Sequence, residues 1–259
     1  MAGIVAIFGR RPAAHGVLTG PTFMSSAALD AALADIDAVF SGCASPAETG
    51  CGYCHAPEET AYLRTPDVPI PLETVRYYLF EVPNHFDDHP AVMRRLLPQG
   101  ARAMADGTLG VIGYGAHGLT RVDWRLWPTE QAAAIEAFLR AWWQHALATP
   151  EPPYGIDAVF DTCATIARTV TPFLEGWVPG RVADAHLARC ADVWLYDLLS
   201  DDSPFSWWYD DSVDAGVSDL RAWLTGPGAA RLHAAGEYDL ATRAELLALP
   251  QSERWDRLY

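Results

Sequence analysis

Apolar residues recur at three- and four-residue intervals over most of the chain, the period of an amphipathic helix. After the candidate caps Ser25 and Ser26, the positions Leu29, Leu33, Ile36 and Phe40 share one face, and Gly42 ends the run. Pro57-Glu58-Glu59 opens a short helix through Leu63, with proline first and acids in the first turn. Pro71 opens another, with Leu72, Val75, Leu79 and Val82 aligned until Pro83 stops it. Asp88 or His89 begins the next, with Met93, Leu97, Ala101 and Met104 in register. Pro98 lies inside it and predicts a kink, and Gly107 ends it.

Pro128 starts the clearest helix, with Ile135, Phe138, Leu139, Trp142 and Ala146 as its stripe. Glu136 and Arg140 form an i,i+4 pair outside that stripe. Further stripes are Ile156–Val170, Leu187–Leu198 and a helix or helix pair from Phe205 to Leu224. Gly226-Pro227-Gly228 predicts a break before short helices around Ala229–Ala235 and Leu240–Leu249. Thr65–Pro71, with three prolines, reads as an extended connector. Thr108–Val122 reads as loop or glycine-rich turn, and no phosphate-binding glycine fingerprint is present there.

Helices joined by short Pro/Gly turns predict an all-α protein: an irregular helical bundle or a HEAT-like array of stacked pairs. Residues 1–22 read as an N-terminal arm, with Gly3–Gly9 a short apolar strand or arm. Residues 23–259 read as a single helical domain, a size one core can support.

The charge balance narrows the partners. The formal net charge is −15, which repels phosphate backbones and favours a basic protein or a cationic ligand over nucleic acid. There is no lysine, so arginine supplies every side-chain cation. No apolar run is long enough for a membrane span, and the start lacks a signal-peptide pattern, so a cytoplasmic location is expected.

Chemistry concentrates between Cys43 and Pro98. Three of five cysteines fall within twelve residues, and in a reducing compartment such a cluster reads as a metal site or free thiols rather than a disulfide framework. Zinc takes four tetrahedral N/S ligands, and a C-x2-C pair brings two thiolates to one ion from a tight turn. Cys51 and Cys54 are that pair, Cys43 is a candidate third ligand, and His55, His85 or His89 a fourth. Such a set would be closed and structural. Residues 41–56 hold almost no large apolar group, so without the ion they are expected to be poorly ordered. His85 and His89 lie four apart with carboxylates between them, a spacing that also suits an open metal or general-base site.

The ten tryptophans include Trp142-Trp143 and Trp207-Trp208. Adjacent residues on a helix point in different directions, so one of each pair is expected at an interface or pocket rim. Trp207-Trp208-Tyr209-Asp210-Asp211 combines aromatic faces with carboxylates, the composition that receives cations.

Two resemblances bear on these motifs. Met1-Ala2-Gly3-Ile4-Val5 is similar to the start of class II glutamine amidotransferases, whose nucleophile is a cysteine at the second position. Here that position is Ala2, so the chemistry has no nucleophile. Cys51-x2-Cys54, Pro57-Glu58-Glu59, Arg95-Leu96-Leu97-Pro98, Trp124-x2-Trp127-Pro128 and Ala141-Trp142-Trp143 together resemble a family of bacterial helical proteins without an assigned activity. The resemblance covers about a third of the chain and implies one helical domain, with no chemistry attached. It departs at Val82-Pro83-Asn84-His85, where the related chains have a Trp-rich turn.

The leading expectation is therefore a non-enzymatic binding or accessory protein, of inhibitor or immunity type. Its acidic, Trp-rich surface (Trp142, Trp143, Trp207, Trp208, Tyr209, Asp210, Asp211) would engage a basic protein partner. The alternative is a metal-dependent enzyme of a biosynthetic pathway using the Cys43–His89 region.

Overall fold

The computed structural model describes residues 25–113, 117–206, 208 and 210–258. The expected N-terminal arm lies outside these. Among the described residues the chain is all-α, with no strand. The helices are α1 (Ala27–Phe40), α2 (Pro57–Arg64), α3 (Leu72–Leu79), α4 (His89–Asp106), α5 (His117–Thr120), α6 (Thr129–Ala148), α7 (Ile156–Ala167), α8 (Thr171–Glu175), α9 (Arg181–Leu198), α10 (Val213–Trp223), α11 (Ala229–Ala235), α12 (Tyr238–Leu246) and α13 (Gln251–Leu258). No described helix is long and apolar enough to cross a membrane.

The sequence signals act where expected at several ends. Ser26 caps α1 by accepting the Leu29 amide at 3.2 Å, and Asp88 caps α4 by accepting that of Ala91 at 3.0 Å. Gly107, with φ of 85°, closes α4 in the left-handed conformation. The α4 helix continues through Pro98. Gly226-Pro227-Gly228, expected as a break, does not divide the chain into separate helices. Residues Leu224–Gly228 form a π-turn that carries α10 into α11, a wider turn that suits the missing amide of Pro227. Among the described residues after Phe205, no helix forms until α10 begins at Val213.

Helix α6 is the axis. It packs on α1, α7 and α9. Phe160 of α7 is at the centre of an aromatic nest, with ring centroids 4.7 Å from Trp194 and 5.4 Å from Trp143. The buried indoles satisfy their N–H groups on carbonyls, Trp143 on Phe173 at 2.9 Å and Trp177 on Ala183 at 3.0 Å. Trp142 and Trp143 are both buried. The expectation that one of them faces a partner does not hold, because α6 packs against several helices, α1, α7 and α9 among them, and both rings are covered.

The proline-rich connector before α3 has no helix or strand of its own to satisfy its carbonyls. Two side chains from α4 do so. Arg95, itself buried, donates to the carbonyls of Tyr62 (3.2 Å), Thr65 (3.0 Å) and Val68. Gln99 pairs with both backbone groups of Ile70, accepting from its N–H at 2.8 Å and donating to its C=O at 2.9 Å. This anchorage fixes α2 and α3 against α4 and so sets where their ends meet.

Candidate metal centre

The cysteine loop is tied to the α3–α4 connection by two carboxylates. Glu48 is fully buried. Its Oε1 accepts the amides of Gly50 (3.0 Å) and Asp87 (2.9 Å), and its Oε2 accepts the Asp88 amide and the Ser45 hydroxyl, both at 3.2 Å. Asp87 reciprocates, accepting the Thr49 amide at 2.8 Å and the Thr49 hydroxyl at 2.7 Å. Those bonds hold the Asp87 carboxyl below its ordinary range. A buried carboxylate needs such donors to offset its desolvation. The loop expected to depend on a metal for its order is thus held by hydrogen bonds of its own.

The clasp carries Cys51-x2-Cys54 towards His85. The turn closes with the Cys54 amide on the Cys51 carbonyl at 3.0 Å and the His55 amide on the same carbonyl at 2.9 Å. The amides of Tyr53 and Cys54 also reach the Cys51 sulfur, and the Cys54 thiol donates to it. These bonds lower the Cys51 pKa. The bond to Cys51, followed by desolvation, raises that of Cys54. Gly50 has φ of 68°, and a Cβ there would lie 2.5 Å from His55 Nδ1, so conformation and space both demand glycine.

His55 is buried under Tyr78 and Phe86, with ring centroids at 5.0 and 5.2 Å. Its Nδ1 accepts the Cys51 amide at 3.1 Å. The neutral ring therefore carries its proton on Nε2, which faces Glu81 Oε2 at 3.6 Å. Glu81 is free to turn inward because α3 ends at Leu79. Pro83 forces Val82 into extended backbone and prevents the expected continuation. The Glu81 carboxylate accepts the Val82 amide at 2.9 Å and the Tyr77 hydroxyl, and lies 2.9 Å from His85 Nδ1. Burial acts to raise its pKa, but these donors and the two histidines outweigh it, and the net shift is downward.

Two overlapping groups of potential ligands result. The ligand atoms of Cys51, Cys54 and His85 lie within 4.8 Å of one another, as do those of His55, Glu81 and His85. Tetrahedral zinc needs separations of about 3.3–3.8 Å, so small side-chain movements would close the first set. The second is the poorer one. With Nδ1 committed as an acceptor, His55 could offer Nε2 to a metal only by losing its last ring proton.

Of the six residues expected as ligands, Cys43 and His89 are in neither group. Gly42, with φ of 76°, turns Cys43 back on α1. Its amide bonds to Phe40 O, and its sulfur lies 3.8 Å from Gln131 Nε2 of α6. His89 is fixed as the first residue of α4 by the Asp88 cap, and its ring stacks on Phe86 at 5.8 Å. The closed three-sulfur site is therefore not assembled.

The expected aromatic surface fares similarly. Trp208 is buried and donates to Ser212 Oγ at 2.9 Å and Asp210 Oδ1 at 3.2 Å. Asp210 is ion-paired with Arg168 at 3.0 Å, and Asp211 is exposed. Trp207 and Tyr209 lie outside the described residues. Glu48, Glu81 and Tyr77 were not expected from the sequence, and Asp87 was expected only as a carboxylate between His85 and His89. One signal was available: Tyr77, Glu81 and His85 recur at four-residue spacing.

The chain matches no known family model, no curated protein and no solved structure.

Proposed function

We propose that this is a zinc-dependent enzyme whose ion is held by Cys51, Cys54 and Nε2 of His85. The observation that carries this reading is the Glu81 carboxylate 2.9 Å from His85 Nδ1. An Nδ1 proton turned toward that carboxylate would leave the Nε2 lone pair for a metal. Zinc-bound histidines are commonly oriented this way. Tyr77, Val82 and His55 in turn orient the carboxylate. Three protein ligands leave one corner of the tetrahedron for water, the arrangement of catalytic rather than structural zinc. Zinc there would supply a water ionised near neutral pH. The Glu48 clasp favours the same conclusion, since the loop has a means of holding itself without the ion.

The runner-up is a binding protein for a basic partner, and the net charge of −15 favours it. The burial of Trp142, Trp143 and Trp208 removes much of its expected contact surface.

Cobalt(II) substitution tests the open site. Tetrahedral d–d bands with thiolate-to-metal charge transfer are expected, and the bands should shift as pH is raised and the bound water ionises. A pH-independent spectrum would mean a fourth protein ligand and a closed site.

A further inference from the structure

We propose that Cys51 and Cys54 are a reversible oxidation site, and that their disulfide expels the metal so that zinc occupancy follows redox state. This rests on the zinc reading above and adds its regulation. Three observations carry it. First, the backbone bond from the Cys54 amide to the Cys51 carbonyl, at 3.0 Å, closes a four-residue turn. Such a turn keeps the two Cα atoms within about 7 Å, close to the range a disulfide spans. The two sulfurs already lie within 4.8 Å of one another, and both are free thiols. Second, both are partly exposed, whereas Cys163 and Cys190 are buried; Cys43 is also partly exposed but packs against Gln131. A Cβ at Gly52, within the turn, would meet nothing within 4 Å, so the turn has room to adjust. Third, the Glu48 and Asp87 clasp involves neither sulfur. Oxidation can remove the metal without detaching the loop, which makes the change reversible.

The step balances with a hydroperoxide as oxidant. The Cys51 thiol attacks the terminal oxygen of hydrogen peroxide, the O–O bond breaks, and Cys51 sulfenic acid and one water result. Cys54 then attacks the Cys51 sulfur, the S–O bond breaks, and a second water leaves as the disulfide forms. Two thiols are oxidised and one peroxide is reduced to two waters. Starting from the zinc-bound dithiolate, two protons are taken up and the zinc ion is released. A disulfide cannot supply the thiolates zinc needs, and His85 alone does not hold the ion.

The test uses the full chain carrying Cys43→Ser, reduced, both zinc-loaded and metal-free. Hydrogen peroxide is added with a chromogenic chelator present. Loss of two thiols with release of about one equivalent of zinc is expected. The peptide spanning residues 51 and 54 should become lighter by two hydrogens, and zinc binding should return after dithiothreitol. Failure of the reduced protein to bind zinc would defeat the zinc reading alone, because the metal-free sample still reports the disulfide. Retention of zinc through peroxide treatment, oxidation to sulfinic acid instead of a disulfide, or a disulfide between chains would overturn the redox proposal.

Discussion

Glu48→Ala is expected to destabilise the protein by about 3–4 kcal/mol and to detach the cysteine loop from the α3–α4 connection. The substitution deletes the acceptor for three main-chain amides and the Ser45 hydroxyl in a position closed to solvent. Each buried donor left unpaired costs about 1–3 kcal/mol, and relaxation of the loop into water recovers part of that. Glu48→Gln keeps a carbonyl acceptor and the side-chain volume, so its effect should be intermediate. Asp87→Asn, at an exposed position, should have the smaller effect of the two carboxylate changes. Urea unfolding measures the loss, and limited proteolysis reports whether residues 43–56 become cleavable before the helical body unfolds. Wild-type stability in Glu48→Ala would mean that the clasp does not hold the loop.

His85→Ala and Cys54→Ser are each expected to weaken zinc binding by about 100-fold or more, whereas Cys43→Ser should leave it unchanged. The contrast follows from the chain path, with Cys43 against α6 and the other two converging. Glu81→Gln should cost about 10- to 100-fold, because it keeps the shape beside His85 Nδ1 but not the charge. Competition against a chelator of known affinity measures each. Equal losses for Cys43→Ser and Cys54→Ser would restore the three-sulfur site. Acid should act in one direction on all of this. Protons compete with zinc for the thiolates and for His85, so affinity falls as pH falls. Glu81 and Asp87 have folded pKa values below their unfolded ones. Their contribution is present above the ordinary carboxylate range and is lost as pH drops through the folded values.

The helical fold was legible in the sequence because most helices bury one face, and a one-sided stripe shows directly in the spacing of apolar residues. Leu29, Leu33, Ile36 and Phe40 are all buried as their spacing implied. Legibility failed where a helix is covered on more than one side. Adjacent Trp142 and Trp143 point in different directions, so one was expected at a surface, yet α6 packs against α1, α7 and α9 and buries both. It failed again where backbone chemistry redirected the chain, as at the π-turn around Pro227.

The candidate metal centre was half legible. A C-x2-C pair and nearby histidines are local signals, and Cys51, Cys54 and His85 do converge. What selects them from six candidates is not local. Glu48 reaches Asp87 and Asp88, 39 and 40 residues on, and spacing cannot reveal such a bond. Glu81 was overlooked because the stripe Leu72–Val82 read as one helix. Only the early end imposed by Pro83 turns that carboxylate inward.

The most direct measurement is the zinc content of the protein purified without added metal under reducing conditions. About one equivalent per chain is expected, unchanged in Cys43→Ser and lost in the Cys51→Ser, Cys54→Ser double variant. Less than about a tenth of an equivalent, or zinc retained in full by the double variant, would contradict a metal centre at Cys51, Cys54 and His85.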